Sequence, residues 1–334
     1  MVNFSENTEV SLKNKEEYLS GIDSLIEKRQ LEIAGKRKEY SCDIFKNPEK
    51  YREDLKKFLG WPLVDYEKPE SVNTEKELLF KEDRYSVYRM KVEILDGVYM
   101  SGLFYQADDK KCPLVIVQHG GDGTPEVISG LYGDTYNYNE MLERVRTTGF
   151  HIFAPQLLLW HSDYGVEFDR KNIDARLKRV GSSITAIEIF GIMRILDYFE
   201  SQDYVTNFGM VGLSYGGFYT LYTTALDTRI KSAISCAYFN TRDKTLLDDW
   251  SFKDLAFKLD DAEIACLSYP RRMCIEIADN DELFDYRYGV ESFEKVKEMS
   301  KDVGLGWVDF IVFKGAHEFH KDDEPIKILA LDLL

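Results

Sequence analysis

A six-residue stretch in the middle of the chain, residues 212–217 (GLSYGG), constrains the fold more than any other feature. The apolar run 208–211 precedes it, and residues 218–222 can continue as a helix. The pattern predicts a strand, a one-residue turn and a helix, with Ser214 at the apex. Glycine at positions 212 and 216 removes the Cβ atoms that would collide with neighbouring backbone in so tight a turn. The serine hydroxyl would then lie above the C-terminal edge of a sheet, at the N-terminus of a helix.

The composition is that of a folded globular protein. The 334 residues suffice for one large α/β domain with appendages or for two domains, and 44% are hydrophobic. The net charge of −16 argues against a nucleic-acid partner and gives no attraction to an anionic membrane surface. No apolar run approaches the roughly 18 residues that a membrane helix requires. We therefore expect neither nucleic acid nor a membrane as a partner.

The cysteines and the first residues predict a cytoplasmic protein. The five cysteines are far apart and show no C-x-x-C spacing, which favours buried thiols in a reducing compartment over disulfides or a zinc site. The sequence begins MVNFSEN, without the basic and then apolar pattern of a signal peptide. We expect no metal and no organic cofactor.

Residues 1–80 are interpreted as a helical N-terminal extension. Apolar residues at helical spacing predict an amphipathic helix over about 14–35; these are Leu19, Ile22, Leu25, Ile26 and Ile33. A second helix, 48–59, has proline at its start and ends at Gly60. The extension carries no evident chemistry, so we expect it to serve packing or oligomerisation.

Residues 81–334 are predicted to form one α/β domain. The LDG sequence at 95–97 indicates a hairpin between strands 84–94 and 98–106. Further strands are expected near 114–117, 150–154, 207–211, 231–236, 272–278 and 307–313. Helices are expected near 136–148, 181–200, 215–226, 286–302 and 325–333. This alternation predicts a doubly wound, mostly parallel sheet of about eight strands. The aromatic-containing insertion 240–270 is a candidate lid over the sheet edge.

A serine nucleophile needs a base, and histidine has a pKa suited to neutral pH. In this order of elements the base should come from the loop after the last strand. His317 follows the small turn 315–316 and is the preferred base. His320, three residues further on, is the alternative.

The base in turn needs a carboxylate that fixes its tautomer. The loop after the strand near 272–278 supplies several acids. Asp281, at the tip of this loop, is the preferred partner. Asp279 is the second choice, because at the strand end it is better placed to cap the turn. Asp285 is expected to be the N-cap of the next helix. The order Ser, Asp, His is then that of a nucleophile-elbow hydrolase.

Two backbone N–H groups are needed to bind the oxyanion of acyl transfer. Tyr215, directly after the serine, should supply one, and Gly121, in the glycine-rich turn 118–123, should supply the other. Trp160, after the strand near 150–154, and Trp250, in the insertion, are candidates for the wall of the substrate pocket. A tryptophan at either position is more often a packing residue.

With these motifs, residues 84–334 resemble an α/β-hydrolase. The resemblance rests on the turn 119–121 (HGG), the elbow 212–217, the acid loop 281–283 (DEL) and the turn 315–317 (GAH). The second glycine after the elbow and the stretch 58–62 (FLGWP) make the chain most similar to acetyl xylan esterases and dienelactone hydrolase relatives. Serine instead of cysteine at position 214 departs from true dienelactone hydrolases and favours ester or amide substrates.

The resemblance implies a serine hydrolase that cleaves a small acyl ester, such as an acetylated sugar, through an acyl-enzyme. It also permits a homo-oligomer, since cytoplasmic acetyl esterases of this kind commonly assemble. A peptidase of the prolyl-oligopeptidase type shares the elbow, but those enzymes carry a bulky β-rich domain where this chain has about 80 mostly helical residues. The third hypothesis is a catalytically idle binding protein with the same fold.

Overall fold

The computed structural model describes residues 5–61, 72–82, 84–108, 111–162, 168–244 and 248–334. Pro62 of the FLGWP stretch and residues 245–247 of the insertion lie outside the described residues. The strands are β1 Thr74–Glu82, β2 Tyr85–Leu95, β3 Val98–Ala107, β4 Cys112–Gln118, β5 His151–Pro155, β6 Val205–Leu213, β7 Ile230–Cys236, β8 Arg272–Ala278 and β9 Val308–Phe313. The helices are α1 Thr8–Tyr40, α2 Pro48–Leu59, α3 Pro125–Ile128, α4 Met141–Arg146, α5 Arg170–Arg179, α6 Ile184–Glu200, α7 Tyr215–Leu226, α8 Asp261–Cys266, α9 Tyr286–Met299 and α10 Glu324–Leu333.

The described strands form one sheet in the order β1-β2-β3-β5-β4-β6-β7-β8-β9. The pairs β1–β2, β2–β3 and β3–β5 are antiparallel. The pairs β5–β4, β4–β6, β6–β7, β7–β8 and β8–β9 are parallel. Every residue of β4 is buried, as expected of a parallel strand covered on both faces. Separate apolar clusters lie on the two faces of the sheet. The predicted doubly wound, mostly parallel sheet is confirmed.

The N-terminal part differs from the sequence prediction in the length of α1, which exceeds the predicted 14–35, and in an additional strand. The segment Thr74–Glu82 is a strand, although the helical extension was predicted to reach residue 80, so the sheet has a ninth strand at its edge. Seven of the nine residues in β1 are exposed, and its charged residues give it little apolar pattern. The sequence therefore does not predict its pairing with β2, which shifts register between Leu78 and Phe80.

The second helix of the extension is packed into the body of the protein. α2 spans the predicted range and ends at Gly60 in the left-handed conformation (φ 75°). Its buried Arg52 donates from Nε to the Ala225 carbonyl and from Nη2 to the Leu267 carbonyl. Tyr51 and Leu55 belong to the same apolar cluster as the sheet residues. α2 is thus part of the main core.

Candidate active site

The strand–turn–helix prediction around Ser214 is confirmed. β6 ends at Leu213, α7 begins at Tyr215, and Ser214 between them has φ 60° and ψ −120°. A Cβ atom on Gly212 would lie 2.2 Å from the Gly216 carbonyl oxygen, and one on Gly216 would lie 2.1 Å from the Gln118 oxygen. Such distances are far below van der Waals contact, so the backbone at both positions requires glycine. The strained conformation places the serine at the C-terminal edge of the sheet.

His317 and Asp281 are hydrogen-bonded. His317 Nδ1 lies 2.8 Å from Asp281 Oδ2. The other carboxylate oxygen, Oδ1, accepts from the backbone N–H groups of Leu283 at 2.8 Å and Phe284 at 3.0 Å. The loops carrying the two residues follow β8 and β9, which are parallel neighbours, so their C-terminal ends meet at one edge. The Asp281 carboxylate thus binds the imidazole while its own loop fixes its orientation.

The two alternative residues of the sequence analysis are bonded elsewhere. Asp279 Oδ1 accepts from the Gly315 N–H at 3.2 Å and so braces the turn before His317. His320 Nδ1 lies 2.8 Å from Oε1 of Glu276, a buried residue of β8. Asp281 and His317 are therefore in contact with each other, whereas Asp279 and His320 stabilise the loops that carry them. Asp285 is the N-cap of α9, as predicted.

Residues between α3 and β5 hold the histidine loop in place, and the sequence analysis did not single them out. Asn137 Nδ2 donates to the His317 carbonyl at 3.0 Å, and the Asn137 carbonyl accepts from Phe319 N–H at 2.8 Å. Arg144 Nη1 donates to the His320 carbonyl at 2.7 Å. These contacts join segments about 180 residues apart, so no local sequence pattern predicts them.

Ser214 and His317 line the same pocket, which has a volume of about 650 Å³. Its wall combines aromatic side chains with a few polar groups. The described lining residues are Gly121, Asp122, Tyr136, Asn137, Tyr138, Trp160, His161, Ser162, Leu213, Ser214, Tyr215, Trp250, Leu283, Phe284 and His317. The preferred residues of the sequence analysis therefore face one cavity of a size suited to a small molecule, except Asp281, whose side chain is buried beside the histidine.

The glycine-rich turn after β4 lies against the elbow. Gly120 N–H donates to the Tyr138 hydroxyl at 2.9 Å, so Tyr138 already occupies that amide. Gly121 lines the pocket, and a Cβ atom there would lie 2.4 Å from Cζ2 of Trp160. Tyr215 is the first residue of α7, where the amide has no acceptor within the helix. The amides of Gly121 and Tyr215 are thus the candidate donors beside Ser214.

His119 supports this turn from within the protein. The fully buried imidazole accepts from Leu157 N–H at Nε2, at 3.0 Å, and its Nδ1 lies 2.9 Å from the Gly120 carbonyl. Burial lowers the pKa of His119 to about 4, so the ring is neutral at neutral pH. A neutral ring with a proton on Nδ1 satisfies both contacts. His119 thus ties the glycine-rich turn to the loop that leads to Trp160.

Both proposed tryptophans lie beside Tyr215. The ring centroids of Trp160 and Tyr215 are 5.5 Å apart, and those of Tyr215 and Trp250 are 4.5 Å apart. Trp160 is 47% exposed, whereas Trp250 is 5% exposed and stacks on Phe218. Trp160 therefore presents an open aromatic surface at the pocket, and Trp250 forms a packed part of its wall.

A buried ionic network beneath the pocket escaped the sequence analysis. Arg170 Nε donates to Asp249 Oδ2 at 2.7 Å, and its two Nη atoms bond to the Glu188 carboxylate at 3.0 and 2.9 Å. Tyr219 donates to Glu188 as well. Burial and the nearby Asp249 carboxylate raise the pKa of Tyr215, whose hydroxyl bonds to that carboxylate. The network connects α5, α6 and α7 with the insertion. It therefore fixes the wall that carries Trp250.

The described residues offer no grouped metal ligands and no membrane-spanning helix. Among the described residues, no group of three or more histidine, cysteine or acidic side chains is arranged to hold a metal ion. No helix in the same ranges is long and apolar enough to cross a membrane.

Comparison with known proteins identifies the fold. No family model and no curated protein matches the sequence. Among solved structures, a glucuronoyl esterase from Solibacter usitatus matches with a TM-score of 0.63 and 14% identity, over 85% of this chain and 92% of that one. A promiscuous CE15 esterase from a marine bacterial metagenome matches with a TM-score of 0.61 and 16% identity, over 86% and 92%. A candidate acetyl xylan esterase from Bacteroides fragilis matches with a TM-score of 0.60 and 14% identity, over 80% and 74%.

The chain therefore has the α/β-hydrolase fold, which confirms the resemblance seen in the sequence at the level of the fold. At these identities the similarity concerns the fold alone. The activity has to be argued from the site itself.

Proposed function

We propose that the protein is a serine hydrolase that cleaves a small carboxylic ester, with Ser214, His317 and Asp281 as its catalytic triad. The observation that carries this proposal is the His317–Asp281 hydrogen bond at the edge of the pocket that contains Ser214. Because Nδ1 of the imidazole is bonded to the carboxylate, Nε2 is left as the atom that can take a proton.

In the proposed reaction, Ser214 Oγ attacks the acyl carbon while His317 Nε2 takes the hydroxyl proton. The amides of Tyr215 and Gly121 bind the oxyanion. His317 then returns the proton to the departing alcohol, which leaves an acyl-enzyme. Water attacks this ester with His317 as base, and the released acid restores Ser214. Each step uses groups of this chain, so the mechanism requires neither metal nor cofactor.

The pocket supports an ester of a small acyl group, such as acetyl, with a sugar or similar alcohol. Its volume of about 650 Å³ lies in the ordinary range of small-molecule sites. The exposed face of Trp160 offers a flat surface on which a sugar ring can stack. The fold neighbours named as glucuronoyl, acetyl xylan and CE15 esterases agree with an ester of this kind. We expect the protein to act in the cytoplasm, which favours cysteines that are not joined in disulfides, as the five of this chain are not.

Intact mass after treatment with a fluorophosphonate tests the proposal. The wild-type protein should gain one adduct through displacement of fluoride by Ser214 Oγ, and the Ser214→Ala variant should gain none. Ser162→Ala, a substitution of another serine at the pocket, is the matched control and should label like wild type. Folded wild-type protein without an adduct would overturn the proposal. Nitrophenyl acetate and an amino-acid nitroanilide then distinguish esterase from peptidase activity.

A further inference from the structure

Helix α1 projects beyond the body of the protein. Every residue from 5 to 31 is exposed, whereas the C-terminal part of the helix is anchored. There Arg37 bonds to the Asp260 carboxylate and donates from Nε to the Ala256 carbonyl at 3.0 Å. The first contact with the body along the helix is that of Arg29, which lies 4.9 Å from the centroid of the Phe257 ring. Residues 8–28, here called the α1 arm, therefore extend for about 30 Å from that contact.

The α1 arm carries an apolar stripe along one side. Its six members are Leu12, Tyr18, Leu19, Ile22, Leu25 and Ile26, which are between 38% and 74% exposed. At 100° per residue they fall within an arc of about 140°. The half-buried Ile33 and the buried Arg37 lie on the same side further along the helix, so the stripe continues the face that packs on the body.

The stripe is large enough to be an interface. The exposed fractions correspond to about 600 Å² of largely apolar surface, the upper limit for the largest patch on a typical monomer. Two such stripes facing each other would remove about 1,200 Å² from water, which is the lower end of the range for stable protein–protein interfaces. In proteins, most of the stability of a helix comes from the packing of its apolar face, and this stripe is exposed in the single chain.

We propose that the α1 arm pairs with the arm of a second copy of this chain, as an antiparallel two-helix contact. This proposal rests on the shape of α1 and is independent of the proposed function. Leu12, Leu19 and Ile26 are seven residues apart, and Ile22 lies three beyond Leu19, the spacing of a coiled-coil seam. A two-fold axis makes one stripe complementary to itself. The same surface then serves both copies.

The orientation follows from Lys15, which interrupts the stripe near its N-terminal end, between Leu12 and Tyr18. In a parallel pair Lys15 would face Lys15 of the second copy, and two like charges would meet inside the seam. In an antiparallel pair Leu19 of each copy faces Ile22 of the other, and the two lysines lie at opposite ends. The arm carries five acidic residues against three lysines, so it lacks the basic face that would favour an anionic membrane.

Light scattering of the full chain tests the pairing. The wild type should have twice the 38.8 kDa mass of one chain at tens of micromolar, and its dissociation should depend on concentration. Leu19→Glu and Ile22→Glu should each raise the dissociation constant at least about 100-fold, because each buries two charges in the seam. Leu31→Glu is the matched control: Leu31 is 86% exposed on the opposite side of the helix, so the dimer should persist.

A wild type that is monomeric at about 100 µM would overturn the proposal, and so would a dimer that both seam variants leave intact. Monomeric protein that floats with zwitterionic vesicles would also overturn it and assign the arm to a lipid surface. Thermal unfolding of the variants establishes that the body is folded, since the exposed arm contributes little to the core.

Cysteine cross-linking tests the orientation, in a Cys42→Ser background that removes the exposed thiol. Leu12→Cys and Arg29→Cys, which face each other in this register and keep Lys15, should each fail to cross-link with themselves, because antiparallel pairing separates identical positions near the ends. A mixture of the two variants should form a disulfide between chains. Efficient cross-linking of either variant alone would overturn the antiparallel arrangement.

Discussion

The hydroxyl of Tyr215 donates a hydrogen bond to Asp249 Oδ1 at 3.1 Å. This contact joins the residue directly after Ser214 to the insertion between β7 and β8. Asp249 also binds Arg170, so the first turn of α7 and the pocket wall that carries Trp250 share one buried carboxylate. The described residues of the insertion are therefore fastened to the elbow, and Trp250 among them forms part of the pocket wall.

Removal of this hydroxyl should loosen the pocket wall without removing the nucleophile. In Tyr215→Phe, Asp249 keeps its bond to Arg170, so we expect the free energy of unfolding to fall by about 1–2 kcal/mol. KM for an ester should rise several-fold, with a smaller change in kcat. Urea unfolding and steady-state kinetics measure the two effects, with the exposed Tyr132→Phe as the control. Unchanged stability would show that the bond contributes nothing.

The two loop aspartates should differ in their effect on catalysis. Asp281→Asn should lower kcat by about 10³- to 10⁴-fold, because an amide at this position no longer fixes the imidazole tautomer or stabilises the imidazolium. Asp279→Asn keeps an oxygen that can accept from Gly315 N–H, so its kcat should stay within a few-fold of wild type. Equal losses in both variants, measured on folded protein, would contradict the assignment of Asp281.

A methyl group at Gly121 should displace Trp160. The Cβ atom would lie 2.4 Å from the indole, so Gly121→Ala should lower kcat/KM by at least about tenfold while the protein still folds. Gly306→Ala, at a glycine whose Cβ would meet nothing within 4 Å, is the matched control. Trp160→Ala, added to Gly121→Ala, should relieve the clash between the new methyl group and the indole. Full activity of Gly121→Ala alone would mean that the turn and the indole move at no cost.

His119 should make the protein less stable in mild acid. Burial lowers its pKa to about 4, whereas an unfolded histidine titrates near 6.5. The unfolded state therefore binds the proton first, and the stability that the neutral ring maintains above pH 6.5 is lost as the pH falls towards 4. Between pH 7 and pH 5 this loss should amount to about 2 kcal/mol.

The comparison with His119→Gln isolates this effect. The variant cannot titrate at this position, so the difference in unfolding free energy between wild type and variant should shift by that amount over the same pH interval. Urea unfolding at each pH measures it. A difference that stays constant with pH would show that the ring is not kept neutral in the folded protein.

The parts of the fold that local sequence determines were predicted well. Helices α2 and α7 have the predicted bounds because glycine, proline and the elbow mark their ends. Helix α1 is longer than the predicted 14–35, since it begins after the N-cap Asn7 and its polar ends lack an apolar pattern. The unpredicted α5 has the same cause: its buried residues are Arg170 and Asp174, charged side chains that a hydrophobic period cannot reveal.

The candidate site likewise has residues that local sequence predicts and residues that it does not. Ser214, Asp281 and His317 occupy loop positions that the order of strands determines, so sequence reasoning could propose them, and the structure shows the contact between Asp281 and His317. The contacts of Asn137 and Arg170 depend on segments distant in sequence, which only the folded chain brings together. Their residue types are ordinary on a protein surface; Arg170 is buried with its carboxylate partners, whereas Asn137 stays exposed and acts through its contacts with the histidine loop.

The two backbone amides that hold the Asp281 carboxylate have a consequence for the timing of catalysis. They orient the acid within its own loop, and the acid orients the imidazole, before any ester arrives. The entropy lost in ordering these groups is therefore lost once, when the chain folds, and not again in each turnover. In the proposed reaction, the substrate meets an imidazole that the Asp281 carboxylate already orients.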